Sequence, residues 1–193
     1  MNKLLLLLLW LLLPSAAFCQ NDLSCYDEVK TVLDEYAIVR KGTEYRLVTT
    51  EGKVVIETAY DDMEIVRLQD GNYLVPVKKD DHWGILDNNG KPLTDMVFDI
   101  ISINPWGTPR VTIGGNSYEL RSTFRNNLAI VREVELYGLM DNNGLLRTPC
   151  KYSYIEPFEE GATTTFAEFI SQVMVGIDLQ TGEDFVKNKR IKE

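Results

Sequence analysis

Leu74-Val75-Pro76-Val77 leads into Trp83-Gly84-Ile85-Leu86-Asp87-Asn88-Asn89-Gly90, and Leu128-Ala129-Ile130-Val131 leads in the same frame into Tyr137-Gly138-Leu139-Met140-Asp141-Asn142-Asn143-Gly144. The two segments align without a gap. An earlier stretch fits the frame, because Ala37-Ile38-Val39-Arg40 returns as Ala129-Ile130-Val131-Arg132. In each copy an aromatic follows the Val by six positions (Tyr45, Trp83, Tyr137), and a Gly follows the aromatic by seven (Gly52, Gly90, Gly144). Self-similarity at a fixed spacing is the mark of a repeat architecture.

A fainter fourth copy reads Val175-Gly176-Ile177-Asp178 and ends at Gly182. The interval from Gly52 to Gly90 equals that from Gly144 to Gly182, whereas the interval from Gly90 to Gly144 is longer. The extra length lies near 104–124, where Arg110–Ile113, Gly114-Gly115-Asn116 and Ser117–Leu120 read as an inserted hairpin. Tyr60, Phe98 and Tyr152 share one downstream column, and Met63, Ile101 and Ile155 share another. Such columns are what stacked units need for a continuous core.

The local signals are β. Tyr36–Val39, Tyr45–Thr49, Leu74–Lys78, Gly84–Leu86 and Leu128–Arg132 are short, rich in β-branched residues and bounded by Gly, Asn and Asp. Asp87-Asn88-Asn89-Gly90 is turn chemistry, with Gly in the left-handed position. The Gly after Trp83 or Tyr137 allows a backbone or ring to approach closely. Residues 24–34 alone suggest a helix, with Ser24 as cap and Cys25, Val29, Val32 and Leu33 on one face. The expected fold is all-β: an array of hairpin units, forming an open twisted sheet, a solenoid or a barrel, with a short N-terminal helix.

These units resemble the WG repeat family: an aromatic-Gly pair, a hydrophobic-Asp step, a turn Gly and a later Tyr-Asp-x-Ile-like stretch. Here those are Trp83-Gly84, Leu86-Asp87, Gly90 and Phe98-Asp99-Ile100-Ile101. The next copy has Tyr137-Gly138, Met140-Asp141, Gly144 and Tyr152-Ser153-Tyr154-Ile155. The outer copies depart from the pattern, with Arg46 in place of the Gly and Val175 in place of the aromatic. The resemblance implies an interaction module and brings no catalytic residues with it.

The 193 residues divide into a leader at 1–19, a cap at 20–35, a repeat domain at 36–186 and a basic tail at 187–193. The leader has Lys3, an apolar run from Leu4 to Leu13, Pro14 and small residues before Cys19, which reads as a cleavable export signal. The expected location is periplasmic or extracellular, with a lipid anchor at Cys19 as the lesser alternative. The apolar run is too short to remain as a membrane span. Without the leader the chain carries 19 positive and 29 negative groups, and within it residues 20–186 carry 15 and 28. That acidic balance argues against nucleic acid, whose binding rests on cationic phosphate contacts. The tail's Lys187, Lys189, Arg190 and Lys192 read as a soluble terminus.

Chemistry is sparse. His82 is the single imidazole, and its column holds Glu44 and Leu136, so the repeat does not require it. No Cys-x-x-Cys pair, phosphate-cradling loop or nucleophile elbow occurs. The expectation is no catalytic residue, no metal and no cofactor. Asp87 and Asp141 lack the closing carboxylate of a calcium loop. Asp61-Asp62, Asp80-Asp81 and Glu159-Glu160 leave a hydrolase as a remote alternative. Export permits a disulfide between Cys25 and Cys150. The leading expectation is a protein-interaction module of unknown partner. The alternative is a glycan-binding module using Trp83, Trp106, Tyr137 and Tyr118 as stacking faces. Trp106 is the best single candidate, because it lies outside the repeat frame in Asn104-Pro105-Trp106-Gly107-Thr108-Pro109.

Overall fold

A computed structural model describes residues 22–69 and 71–155, with the backbone of three later strands. The export signal, Cys19, Glu159-Glu160, Gly182 and the basic tail lie outside the described residues.

The chain is all-β, and every strand pairing is antiparallel. Strands β1 (Glu28–Leu33), β2 (Tyr36–Lys41) and β3 (Glu44–Thr49) form one sheet in that order. β6 (Tyr73–Lys79) pairs with β4 (Asp62–Met63), β5 (Val66–Arg67) and β7 (His82–Leu86) in a second. The widest sheet runs β13 (Leu146–Tyr152), β12 (Leu136–Asp141), β11 (Leu128–Glu133), β10 (Asn116–Leu120), β9 (Pro109–Ile113) and β8 (Ile100–Ile103). β14 (Thr165–Glu168), β15 (Val173–Ile177) and β16 (Asp184–Val186) form the last. Each sheet has two free ends in this pairing order, so the described strands form open sheets and close no barrel among themselves.

The helix expected over residues 24–34 does not form. Leu23–Cys25 is a 3-10 turn capped by Asp22, whose carboxylate accepts from Ser24 N at 2.9 Å. The chain then enters β1. Val29, Thr31 and Val32 favour a pleated surface, and Asp34 takes a left-handed φ of 52° that folds β1 back onto β2. Strand pairing outweighs the helical spacing of the apolar residues.

The repeat reappears as identical register. Val39 lies opposite Arg46, Val77 opposite Gly84 and Val131 opposite Gly138. Each frame aromatic then pairs with the downstream column: Tyr45 with Tyr60, Trp83 with Phe98, Tyr137 with Tyr152. In the first two copies this is a reciprocal backbone pair, at 2.8 and 3.1 Å and at 2.9 and 3.0 Å.

The first strand of each copy is buried on both faces. Ile38 packs with Leu47, Met63 and Val75, while Ala37 and Val39 pack beneath Leu23 and Tyr26. Val75 and Val77 join Ile38, while Leu74 faces the next core, with Phe98, Val111, Ala129 and Val131. Leu128 and Ile130 face outward to Leu139, Tyr152 and Ile155. A strand shared between two cores reads as a continuous apolar run instead of an alternation. This is why Ala37-Ile38-Val39 and Leu128-Ala129-Ile130-Val131 carry no polar residue.

The glycine of the aromatic-Gly pair is a crossing point. A Cβ at Gly138 would lie 2.6 Å from Thr148 O and 2.9 Å from Cys150 N, both backbone atoms of β13. At Gly84 it would meet Met96 Sδ at 2.7 Å and Asp95 O at 3.1 Å. In the first copy Arg46 occupies the position and its guanidinium donates to Glu57 O at 3.2 Å.

Candidate functional site

The inserted segment supplies the most exposed aromatic surface among the described residues. β8 and β9 pair from Ile100↔Thr112 to Ile103↔Pro109, and Asn104–Thr108 closes the hairpin. Asn104 builds that loop from both ends. Its side-chain Oδ1 accepts from Trp106 N at 3.0 Å and from Thr108 N at 2.9 Å. Its backbone N donates to Thr108 O at 3.1 Å, and its O accepts from Gly107 N at 2.9 Å. Gly107 has a φ of 77°, a conformation that favours glycine. The loop is therefore set before any ligand arrives, and it holds the Trp106 indole 87% exposed.

Beside Trp106 lies a shallow cleft of about 50 Å³, open to solvent, between the β5 end and the β10 end. Arg67, Gln69, Thr108 and Arg121 supply its polar walls, and Leu68 and Leu120 its floor. Leu68 and Leu120 are buried, at 8% and 1% exposure, and belong to the central core, so the cleft stands on packed framework. Arg67 is steadied by Asp34 at 3.4 Å and lies 5.8 Å from the Tyr73 ring. Tyr73 donates to the same Asp34 at 2.5 Å, and that bond to a carboxylate pushes the phenol up to about 12.

Arg121 belongs to a cationic group on the inserted sheet. Register places Glu119 between Arg110 of β9 and Arg132 of β11. Glu119 lies 3.0 Å from Arg110, 3.4 Å from Arg132 and 3.8 Å from Arg121. Among the described residues it is the one carboxylate within ion-pair distance of these three guanidiniums. Three cations therefore share one anion, in a chain whose formal charge is −9.

The other expected stacking faces are not available in the same way. Tyr118 is 8% exposed and packs in the central core opposite Val111, so it has no free face and the expectation of a ligand contact there is corrected. Trp83 is half-buried against the same core. Tyr137 packs on the outer core and meets Tyr154 edge-on, with centroids 6.2 Å apart. Among the described residues the frame aromatics Tyr45, Trp83 and Tyr137 pack on cores, and the insertion presents Trp106 to solvent.

The bridge between Cys25 and Cys150 is also corrected. Cys150 is a free, half-buried thiol, so it does not pair with Cys25. Burial pushes the Cys150 thiol up to about 11, with Glu133 adding to the shift.

The carboxylates have structural employment. Asp87 Oδ1 accepts from Asn89 N and Lys91 N, both at 2.9 Å, and Asp141 Oδ1 accepts from Asn143 N at 2.9 Å and Leu145 N at 3.0 Å. Asp141 Oδ2 also meets Arg147 at 3.1 Å. Thr49 takes the same place in the first copy, accepting from Lys53 N at 3.2 Å. Asp62 and Glu64 both hold Lys30 at 2.7 Å, joining the first sheet to the second. Burial draws the Lys30 ammonium down, but the bonds to both carboxylates outweigh it and the net shift is upward. Asp61 accepts from Asp80 N at 3.0 Å, and Asp81 faces Lys78 at 3.2 Å. His82 is exposed at the hairpin tip, with Nδ1 3.2 Å from Asp80 O. Among the described residues no three metal-ligating side chains gather.

Thr94 and Thr148 hold a buried column that the aromatic and glycine pattern did not flag. Thr94 is 4% exposed, and its hydroxyl accepts from Ile85 N at 2.9 Å, while Thr148 in the same column is 1% exposed. The offset from Thr94 to Thr148 equals that between Gly90 and Gly144, so extending the column comparison would have found the pair.

A crystal structure of a protein of unknown function from Bacteroides caccae matches with 15% identity and a TM-score of 0.25. The match covers 78% of this chain and 55% of that one, so this chain spans about half of its length. No curated protein matches the chain. The family model of the WG containing repeat matches residues 137–167, which begin at the Tyr137-Gly138 pair. Over residues 137–167 this chain carries a WG containing repeat.

Proposed function

We propose that the protein is an exported, non-enzymatic recognition module in the envelope or outside the cell, and that its ligand meets the Trp106 loop. The hairpin units act as an array that supports this loop. The observation that carries the reading is the 87% exposure of Trp106, on a loop fixed by Asn104, above a cleft with polar walls. Exposing a large indole forgoes the burial of roughly 150–250 Å² typical of an aromatic, and a ligand recovers that area.

A glycan fits this site better than a protein partner. A sugar ring has an apolar face for the indole and hydroxyls for Gln69 and Thr108. A protein interface needs an apolar centre of larger extent, and Trp106 has polar neighbours around it. Titration of the full chain with a panel of envelope polysaccharides, followed by tryptophan emission and calorimetry, tests the reading. Saturable binding that is lost in Trp106→Ala supports it. Absence of binding across the panel removes it.

A protein partner is a second reading with its own observation. Val134, at the tip between β11 and β12, is 82% exposed and has a φ of 56°, which strains a β-branched residue. Leu136 and Tyr154 are 42% and 46% exposed. Crosslinked co-purification from native envelope that disappears in Val134→Asn/Leu136→Ser would favour this reading.

A further inference from the structure

We infer that the Trp106 cleft selects an acidic saccharide, one whose ring carries a carboxylate, with Trp106 stacking on the ring and Arg121 and Arg67 receiving the carboxylate. The inference rests on the glycan reading above and adds the charge of the ligand to it.

The chain is acidic overall, with 29 Asp and Glu against 20 Lys and Arg, so a neutral or acidic cleft is the default. Among the described residues this cleft is instead lined by two guanidiniums and by no carboxylate. Arg121 competes with Arg110 and Arg132 for Glu119, and it stands farthest from that carboxylate, at 3.8 Å against 3.0 and 3.4 Å. Its own pairing is therefore the weakest of the three. Arg67 is 55% exposed and touches Asp34 through Nη1 at 3.4 Å, a long contact for a charge-assisted bond. Both guanidiniums keep donors to offer, and the planar fork of an Arg matches a carboxylate.

The chemistry of the walls selects the scaffold that carries the anion. In an acidic peptide any ring and the carboxylate sit on separate, independently rotating side chains, whereas a sugar acid joins a ring face and a carboxylate at fixed separation. Gln69 and Thr108 then meet ring hydroxyls as donor and acceptor. The cleft is open to solvent, so a longer saccharide can extend away from one seated acidic residue.

The test compares oligogalacturonate with its methyl ester, which keeps the ring and removes the charge, and with poly-glutamate, which keeps the charge and removes the ring. Each is titrated into the full chain by calorimetry. The expected result is oligogalacturonate binding about tenfold more tightly than the ester, with that preference lost in Arg121→Gln and reduced in Arg67→Gln. Trp106→Ala weakens both saccharides. Thermal unfolding of each variant, unchanged from the parent, shows that the cleft and not the fold was altered. Equal affinity for acid and ester, still dependent on Trp106, overturns the anionic inference and leaves the glycan reading intact. Binding of poly-glutamate alone, or of none of the three, overturns the inference; a subsequent polysaccharide panel without any binder would overturn the glycan reading as well.

Discussion

Trp83 and Trp106 are close in sequence and sit in opposite surroundings. Trp83 begins an aromatic-Gly pair, exchanges backbone bonds with Phe98 and lies half-buried on the central core. Trp106 sits on the hairpin loop of the insertion and is 87% exposed. The repeat uses its aromatics to join units. The insertion, which rests on the finished core through β9 and β10, is free to present one. The difference separates scaffold from surface: changes in the frame are expected to cost stability, and changes in the loop to cost the proposed binding.

The largest effect expected is at Gly138. Backbone atoms of β13 lie 2.6 to 2.9 Å from where a Cβ would go, and they cannot swing aside. Gly138→Ala should lower unfolding free energy by about 3 kcal/mol, read by urea denaturation. Asp141→Ala should cost about 2 kcal/mol, because two turn amides and Arg147 lose a shared carboxylate that is 4% exposed. Gly84→Ala should cost about 1 kcal/mol, since the nearest atom is the movable Met96 Sδ. An equal loss at Gly84 and Gly138 would show that the two crossings are not distinguished by what lies opposite. Trp106→Ala should leave stability within about 0.5 kcal/mol.

The smallest effect concerns Cys150. With the thiol pushed up to about 11, the thiolate is disfavoured at neutral pH. Alkylation in the folded state should be slow at pH 8, where about one thiol in a thousand is ionised, and should quicken about tenfold per pH unit up to that value. Fast labelling at pH 8 would show that the third copy opens readily around β13.

The frame was legible because its residues repeat: Val77 with Gly84 and Val131 with Gly138 hold the same register across two copies. The close approach at the aromatic-Gly pair was legible from the missing Cβ. The β1 strand was not, because Val29, Val32 and Leu33 also suit a helical face, and pairing with β2 decides between the two. Tyr118 was misread because a hairpin outside the repeat carries no column to mark it as core. The Trp106 loop was legible from its Pro, Gly and Asn residues. Its cationic surroundings were not, since Arg67 and Arg121 are far apart in sequence and meet only through the fold.

The central claim is that the Trp106 loop is the binding surface and the repeat its support. Its most direct test is calorimetric titration of the parent chain and Trp106→Ala with the tightest saccharide from the panel, alongside thermal unfolding of both. The expected result is a loss of affinity of at least about tenfold at an unchanged unfolding midpoint. Unchanged affinity in the variant would contradict it, as would a loss that follows the variant's unfolding.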